Sequence, residues 1–124
     1  MRKFRGFTLI ELLVVMAVIA TLLTIAFPKY FKSVDRSKEA ALRQDLSIMR
    51  DSLDKYYGDT GKFPATLDDL VTKGYLRAIP PDPITESTAT WVLLAPADPN
   101  QTGVFNIISG APGKAADGTL YSTW

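Results

Sequence analysis

The chain has 124 residues and a mass of 13.6 kDa; 47% of its residues are hydrophobic and 22% are charged, so it suits one small domain and is too apolar for a disordered polar chain. The formal net charge of +1 provides no strong basic field, and we expect no nucleic-acid partner. Cysteine and histidine are both absent, which excludes disulfides, thiol nucleophiles, Ser–His dyads and the usual zinc, haem and iron–sulfur ligands.

The first thirty residues have the charge pattern of a membrane span. Residues 7–27 form an apolar run with a single charge, Glu11, and as a helix they would extend about 31 Å, close to the roughly 30 Å of a bilayer's hydrocarbon core. Basic residues flank the run at Arg2, Lys3, Arg5, Lys29 and Lys32. Because three of them crowd into the first six positions, the sequence favours a cytoplasmic N-terminus.

Two ordinary explanations of this run are a secretory signal peptide and a plain membrane anchor. The run is too long for a typical signal peptide, and no A-x-A cleavage site closes it. A lone carboxylate such as Glu11 is costly in hydrocarbon unless it is paired or protonated, which argues against a plain anchor. If the chain were cut after Gly6, the amino group of Phe7 in one subunit could pair with Glu11 of a neighbour.

The string Gly6-Phe7-Thr8-Leu9-Ile10-Glu11-Leu12 resembles the processing site of the type IV pilin-like family. The resemblance implies that a prepilin peptidase cuts between Gly6 and Phe7 and methylates the new amino group of Phe7. It also implies that Glu11 is the assembly glutamate and that Pro28 is a helix-kinking proline. Residues 1–6 would then be a leader peptide, and residues 7–28 the transmembrane and assembly helix.

Residues 29–58 are predicted to form an amphipathic stem that continues the same helix, bent at Pro28. Two oppositely charged pairs at i,i+4 spacing, Glu39–Arg43 and Asp51–Lys55, would add slightly to its stability. Gly58 and the Asp-Thr-Gly that follows are stop signals. We expect the apolar stripe to seat the C-terminal part rather than to form an isolated coiled coil; it comprises Phe31, Val34, Leu42, Leu46, Met49, Leu53 and Tyr56.

Residues 59–124 are predicted to form a small globular head that begins with a short helix, Leu67–Lys73. Thr66 is a suitable N-cap, with Asp69 three residues later, and Gly74 is predicted to stop the helix after its last turn. Asp68 and Asp69 resemble a carboxylate pair. Their place in the first turn indicates complementarity to the helix dipole rather than catalysis.

The rest of the head is predicted to be a small antiparallel sheet packed on the stem, so the fold class is α+β and pilin-like. Strands are expected at Thr90–Leu94 and Gly103–Ser109, with a short third strand at Thr119–Trp124 after the Asp117-Gly118 turn. Prolines make residues 79–83 irregular. The aromatic residues are expected in the core and at its edge rather than in a ligand cage; they are Trp91, Phe105, Tyr121 and Trp124.

Within the family, the C-terminal half is most similar to the major pseudopilins of type II secretion systems, on the strings GKFPATLDDLVTKGYL, IPPDP and IISGAPGKAADGTLYSTW. This resemblance implies a structural filament subunit and not an enzyme. Its implied partners are other copies of itself, prepilin peptidase, an inner-membrane platform and ATPase, minor pseudopilins and the lipid bilayer. Its implied location is the bacterial inner membrane, with the head periplasmic, and then a periplasmic filament. A type IV pilus subunit is the alternative, and a membrane-tethered binding module or enzyme is a remote one.

The resemblance also implies a calcium ion near the C-terminus, although the acidic ligands are few. Calcium takes six to eight oxygens. The loop from Ser109 to Ser122 offers the carboxylate of Asp117 and neighbouring hydroxyls, including that of Thr119, and Asp82 and Asp98 could approach. The alternative, which we favour, is that Asp117 starts a tight turn with Gly118.

Overall fold

The computed structural model describes residues 5–124, and by internal contacts the chain divides into two units, Met1–Asp35 and Arg36–Trp124. It is an α+β chain with one long N-terminal helix and a small antiparallel sheet, as predicted. The elements in chain order are α1 (Leu9–Thr60), α2 (Leu67–Thr72), β1 (Trp91–Leu94), β2 (Asn106–Ser109) and one 3-10 turn (Tyr121–Thr123).

The N-terminal part of α1 exposes apolar side chains around its whole circumference. By length and composition α1 qualifies as a membrane-spanning helix, with an 18-residue window of mean hydropathy 2.6 and none of that window buried. Pro28 lies inside α1, and the helix continues on both sides of it. Because proline has no amide hydrogen, the carbonyl of Thr24 loses its usual i+4 donor.

The helix ends later than Gly58, which lies inside its last turn. Thr60 donates its hydroxyl to the carbonyl of Tyr56 at 2.8 Å, and the amide of Gly61 donates to the carbonyl of Tyr57 at 2.7 Å. Gly61 has a φ of +72°, a left-handed conformation that suits glycine and ends the helix. The second of the two predicted stop glycines is therefore the effective one.

The apolar stripe of α1 seats the head, as predicted, but it is shorter than expected. Leu42, Leu46 and Met49 are almost completely buried, whereas Phe31 is 56% exposed and Val34 is half-buried. The stripe side chains pack in one core with residues of α2, β1, β2 and the C-terminal segment. The buried apolar residues of this core are Leu42, Leu46, Met49, Leu53, Tyr56, Leu67, Leu70, Leu76, Trp91, Val104, Ile107, Ala111, Ala115 and Tyr121.

Helix α2 is capped as its sequence predicts and is one residue shorter. The carboxylate of Asp69 accepts hydrogen bonds from the amides of Ala65 and Thr66, at 3.1 and 3.3 Å. Gly74 follows the helix with a φ of +82°, and its amide donates to the carbonyl of Val71. Asp69 in the acidic first turn thus caps the helix.

Strands β1 and β2 pair antiparallel in a register that runs from Trp91↔Ser109 to Leu94↔Asn106. The second strand begins three residues later than predicted, because Gly103 has a φ of +108° and cannot continue a strand. A Cβ atom at Gly103 would lie 2.7 Å from the carbonyl oxygen of Pro64, so this position requires glycine.

The predicted third strand at Thr119–Trp124 is wrong. Only an isolated bridge, Lys114↔Leu120, forms there, and the chain then turns through the 3-10 segment. The turn places Tyr121 in the core and stacks it edge to face with Trp124, with ring centroids 5.2 Å apart. Packing of these two rings therefore outweighs the β-propensity of the segment.

The four aromatic residues singled out from the sequence lie in the core and at its edge, as expected. Trp91 is buried and donates its indole N–H to the carbonyl of Pro80 at 2.8 Å. Phe105 is 53% exposed and packs edge to face on Phe63. Each polar tip has a partner and each ring an apolar neighbour, which is ordinary packing for amphipathic aromatics.

Candidate functional site

The residues predicted for processing lie just before α1. Gly6 and Phe7 are not helical, Phe7 is 89% exposed, and no atom lies within 4 Å of a Cβ built on Gly6. The peptide bond between them is therefore free of packing in this chain. Arg2 and Lys3 of the predicted leader lie outside the described residues.

Thr8 and Glu11 form a reciprocal cap at the start of α1. The amide of Thr8 donates to Oε2 of Glu11 at 3.0 Å, and the amide of Glu11 donates to Oγ1 of Thr8 at 3.2 Å. The first helical bond, from the amide of Leu12 to the carbonyl of Thr8, makes Thr8 the N-cap residue. Two amides that have no partner within a helix are thereby satisfied.

Sequence reasoning missed this cap, although its signal was present. Thr8-Leu9-Ile10-Glu11 before an apolar run is the pattern of a capping box. Within a single chain, then, Glu11 has a hydrogen-bonded partner, but that partner is neutral. Among residues 5–124 no ion pair includes Glu11, which begins an apolar segment where an unpaired charge is costly.

The other end of the apolar run has an aromatic cluster beside two lysines. The rings of Phe27 and Phe31 lie 5.8 Å apart, and those of Tyr30 and Phe31 lie 5.9 Å apart. Lys29 and Lys32 fall in the same turn of α1 and are exposed. Aromatic and basic residues in one turn are typical of a membrane–water boundary.

In the head, Asp82 of the proline-rich segment is a fully buried charged residue. Its side chain is fully buried; Oδ2 accepts a 2.5 Å hydrogen bond from the hydroxyl of Ser109, and Oδ1 accepts one from the amide of Ile84 at 2.8 Å. The Ser109 oxygen in turn accepts from the amide of Ala111 at 3.1 Å. Asp82 thus links the irregular segment to the end of β2, a role that nothing in its spacing indicated.

The surroundings of Asp45 on α1 destabilise the ionised form of its carboxyl group. Partial burial, followed by the charge of Asp82, raises its pKa above the ordinary value of 3.8. Because the folded pKa exceeds the unfolded one, the protonated form of Asp45 favours folding below the unfolded pKa. That contribution is lost as the pH rises through the folded pKa.

We therefore expect Asp45→Asn to raise the melting temperature at pH 7, and this gain to shrink as the pH falls below about 4, where the acid itself is protonated. Melting curves of the full chain in detergent between pH 3 and pH 7 measure it. Asp54→Asn, an exposed change on the same helix, is the control. An Asp45→Asn chain that melts at or below the wild-type temperature at pH 7 would show that burial and Asp82 do not destabilise this carboxylate.

The carboxylate of Asp117 accepts hydrogen bonds from within the turn that it begins. Oδ1 accepts from the amide and the hydroxyl of Thr119, at 3.0 and 2.6 Å, and Oδ2 lies 3.5 Å from a guanidinium nitrogen of Arg43. These hydrogen bonds, together with Arg43, hold the pKa of Asp117 below its usual value. Gly118 follows with a φ of +87°, as expected for a tight turn that Asp117 begins.

This arrangement does not fit a calcium site. Within residues 5–124 no group of three or more acidic side chains comes together, so the ion would lack most of its oxygen ligands. Asp82 is committed to Ser109, and Asp98 accepts from the amide of Asn100 in an exposed loop. A cation at Asp117 would also meet the guanidinium of Arg43.

The two ion pairs predicted along the stem do not form. Among the described residues the ion pairs are Lys38–Glu86 and Arg43–Asp117, both exposed. Glu39 instead accepts hydrogen bonds from the amide of Ala116 and the hydroxyl of Tyr121. For Glu39 and Arg43, partners from the C-terminal segment therefore replace the expected helical partner.

Comparison with known proteins identifies a family motif at the N-terminus and relatives along most of the chain. Residues 1–27 match the family model described as the prokaryotic N-terminal methylation motif. The chain is 31% identical to the type II secretion system core protein G of Pseudomonas aeruginosa over 130 residues, covering 91% of this chain and 87% of that protein. It is 27% identical to the protein of the same name from Vibrio cholerae, over 100% of this chain and 94% of that protein. No solved structure matches the chain significantly.

Proposed function

The chain belongs to the family of the type II secretion system core protein G, the major pseudopilins, and from this membership we propose that it is the structural subunit of a secretion pseudopilus. In this proposal prepilin peptidase cuts between Gly6 and Phe7 and methylates Phe7. The mature subunit then leaves the bacterial inner membrane and joins a periplasmic filament that supports protein export. The N-terminal methylation motif and the candidate membrane helix support these steps.

The observation that carries the proposal is the apolar part of α1 with one carboxylate near its start. This segment is unburied along its length, so it needs either lipid or other helices around it. Assembly exchanges lipid contacts for contacts with neighbouring subunits. It also brings Glu11 of one subunit near the amino group of Phe7 in another, so that the pair sets the register of the filament.

The subunit is a single-pass membrane protein before assembly, with its N-terminus cytoplasmic and its head periplasmic. The cluster of Phe27, Tyr30 and Phe31 with Lys29 and Lys32 supports a periplasmic boundary of the span at this turn. Pro28 provides a position within this boundary turn at which the helix can bend. The remaining partners are an assembly platform, an ATPase and minor pseudopilins; the sequence has no P-loop, so the energy for extraction comes from the ATPase.

Processing is tested by Gly6→Asp in cells that contain the secretion system. We expect the variant to remain unprocessed, because the charged side chain occupies the cut site. The open space around Gly6 means that the substitution causes no clash in the chain itself. Mass spectrometry of the purified protein should give residues 7–124 plus one methyl group for the wild type and the full precursor for the variant.

Gly58→Asp adds the same side chain at another open position and should be processed normally. A Gly6→Asp chain recovered at the mature, methylated mass would contradict the proposed cut site.

A type IV pilus subunit would share the same N-terminus. The similarity to core protein G extends over nearly the whole chain, however, and so favours secretion over a pilus. The family is structural, which fits a protein that is not an enzyme. A neighbouring gene for a secretin, rather than for a retraction ATPase, would support the same choice.

A further inference from the structure

Three polar side chains on α1 contact the C-terminal segment, residues 111–124. They are Glu39, Arg43 and Arg50, at spacings of four and seven residues, which place them along one side of the helix. Their contacts with this segment bridge 74 to 82 positions in sequence. These long-range contacts therefore attach the C-terminal segment to α1.

Arg50 makes three hydrogen bonds, two to β2 and one to the C-terminal segment. It donates Nε–H to the side-chain oxygen of Asn106 at 3.0 Å, and its Nη2 donates to the carbonyls of Ile107 and Trp124 at 3.0 and 2.5 Å. The side chain is half-buried. One planar guanidinium thus joins β2 to the last residue of the sequence, a geometry that lysine cannot reproduce.

The other two side chains hold the middle and the end of the segment. Oε1 of Glu39 accepts from the amide of Ala116 at 2.9 Å and from the hydroxyl of Tyr121 at 3.2 Å. The guanidinium of Arg43 lies 4.2 Å from the ring centroid of Trp124, besides its exposed pair with Asp117. The indole of Trp124 donates to the hydroxyl of Thr119, which closes the segment on itself.

We infer that this row of Glu39, Arg43 and Arg50, and not a calcium ion, fixes the C-terminal segment of this pseudopilin. The segment that the resemblance assigns to a metal has its single carboxylate engaged and a cationic side chain beside it. An arginine beside a carboxylate supplies the positive charge that a metal would supply. The half-buried Arg50 contributes most, and the exposed Arg43–Asp117 pair little.

The test is thermal unfolding of the full chain in detergent, followed by tryptophan fluorescence, in calcium at several times the roughly millimolar dissociation constant of the weakest protein sites and in EDTA. We expect equal melting temperatures in the two buffers, since a ligand that binds the folded state would raise the value. Arg50→Met should lower the melting temperature by about 5 °C or more. Arg36→Met, which removes an exposed arginine of the same helix, should leave it unchanged.

Trypsin provides a local readout, because Lys114 is exposed within the segment. Cleavage after Lys114, detected as the peptide of residues 115–124, should be about tenfold faster in Arg50→Met than in wild type, in EDTA and in calcium alike. A higher melting temperature of the wild type in calcium, or slower cleavage of it after Lys114, would overturn the inference. This comparison uses the wild type alone, so it does not depend on the folding of a variant. Equal cleavage and melting of Arg50→Met and Arg36→Met would also overturn it. Neither result bears on processing at Gly6, so the proposed function can fail separately.

Discussion

Glu11→Gln should reduce the yield of assembled filament by about a hundredfold or more, while the protein still inserts into the membrane and folds its head. Glutamine at this position preserves the capping box with Thr8, because its amide oxygen still accepts from the Thr8 amide. The variant therefore removes only the charge. Any loss of assembly then reports on that charge rather than on the start of the helix.

The size of the effect follows from the burial of the partner. With Glu11 neutral, the amino group of Phe7 in the neighbouring subunit enters an apolar array as an unpaired cation. Leaving one member of a buried ion pair without its partner costs about 3–5 kcal/mol. That cost corresponds to more than a hundredfold in association at each subunit contact.

The measurement compares the chemically crosslinked subunit multimers of the periplasmic filament with the total protein in carbonate-washed membranes. Asp35→Asn, which removes an exposed carboxylate from the same helix outside the apolar run, should assemble normally. Wild-type filament yield from Glu11→Gln would refute the pairing of Glu11 with Phe7.

Asp82→Ala should destabilise the head by about 3–5 kcal/mol, because it removes a fully buried carboxylate and leaves two donors without an acceptor. The hydroxyl of Ser109 and the amide of Ile84 both donate to this side chain. Asp82→Asn should cost less, since its amide oxygen can still accept one of these bonds.

Melting of the full chain in detergent measures this loss, and we expect a fall of about 10 °C or more for Asp82→Ala. The indole of Trp91 is a suitable probe, since it donates to Pro80 two residues before Asp82. Asp98→Ala removes a carboxylate that caps an exposed turn, so it should shift the midpoint little. Equal midpoints for Asp82→Ala and Asp98→Ala would show that the buried carboxylate does not support the fold.

Most of the two helices could be predicted, because their signals are local. The apolar run, the stripe from Leu42 to Tyr56 and the caps of α2 each depend on residues within one or two helical turns. The Thr8–Glu11 cap is also local, since the Thr-x-x-Glu pattern contains both of its members. The processing role of Gly6 and Phe7, the assembly roles of Glu11 and Pro28, and the domain boundaries stay predictions.

The contacts of the C-terminal half could not be predicted in the same way. Glu39 and Arg43 have the spacing of a helical pair, yet each has its partners in residues 116–124. Asp82 occurs in a proline-rich stretch that predicts only irregular backbone, and its burial depends on where β2 ends. In each case the partner lies 27 or more residues away, so no short-range pattern contains it.

The sequence by itself determined the helix, the apolar segment, the processing motif and the family, because periodicity, hydropathy and motif spacing are properties of neighbouring residues. Only the tertiary structure decided that Thr119–Trp124 is a turn rather than a strand, that Asp82 is buried, and that the arginines of α1 contact the C-terminal segment. Those outcomes depend on which side chains from distant parts of the chain can share one core, since burial and long-range hydrogen bonds outweigh local propensity.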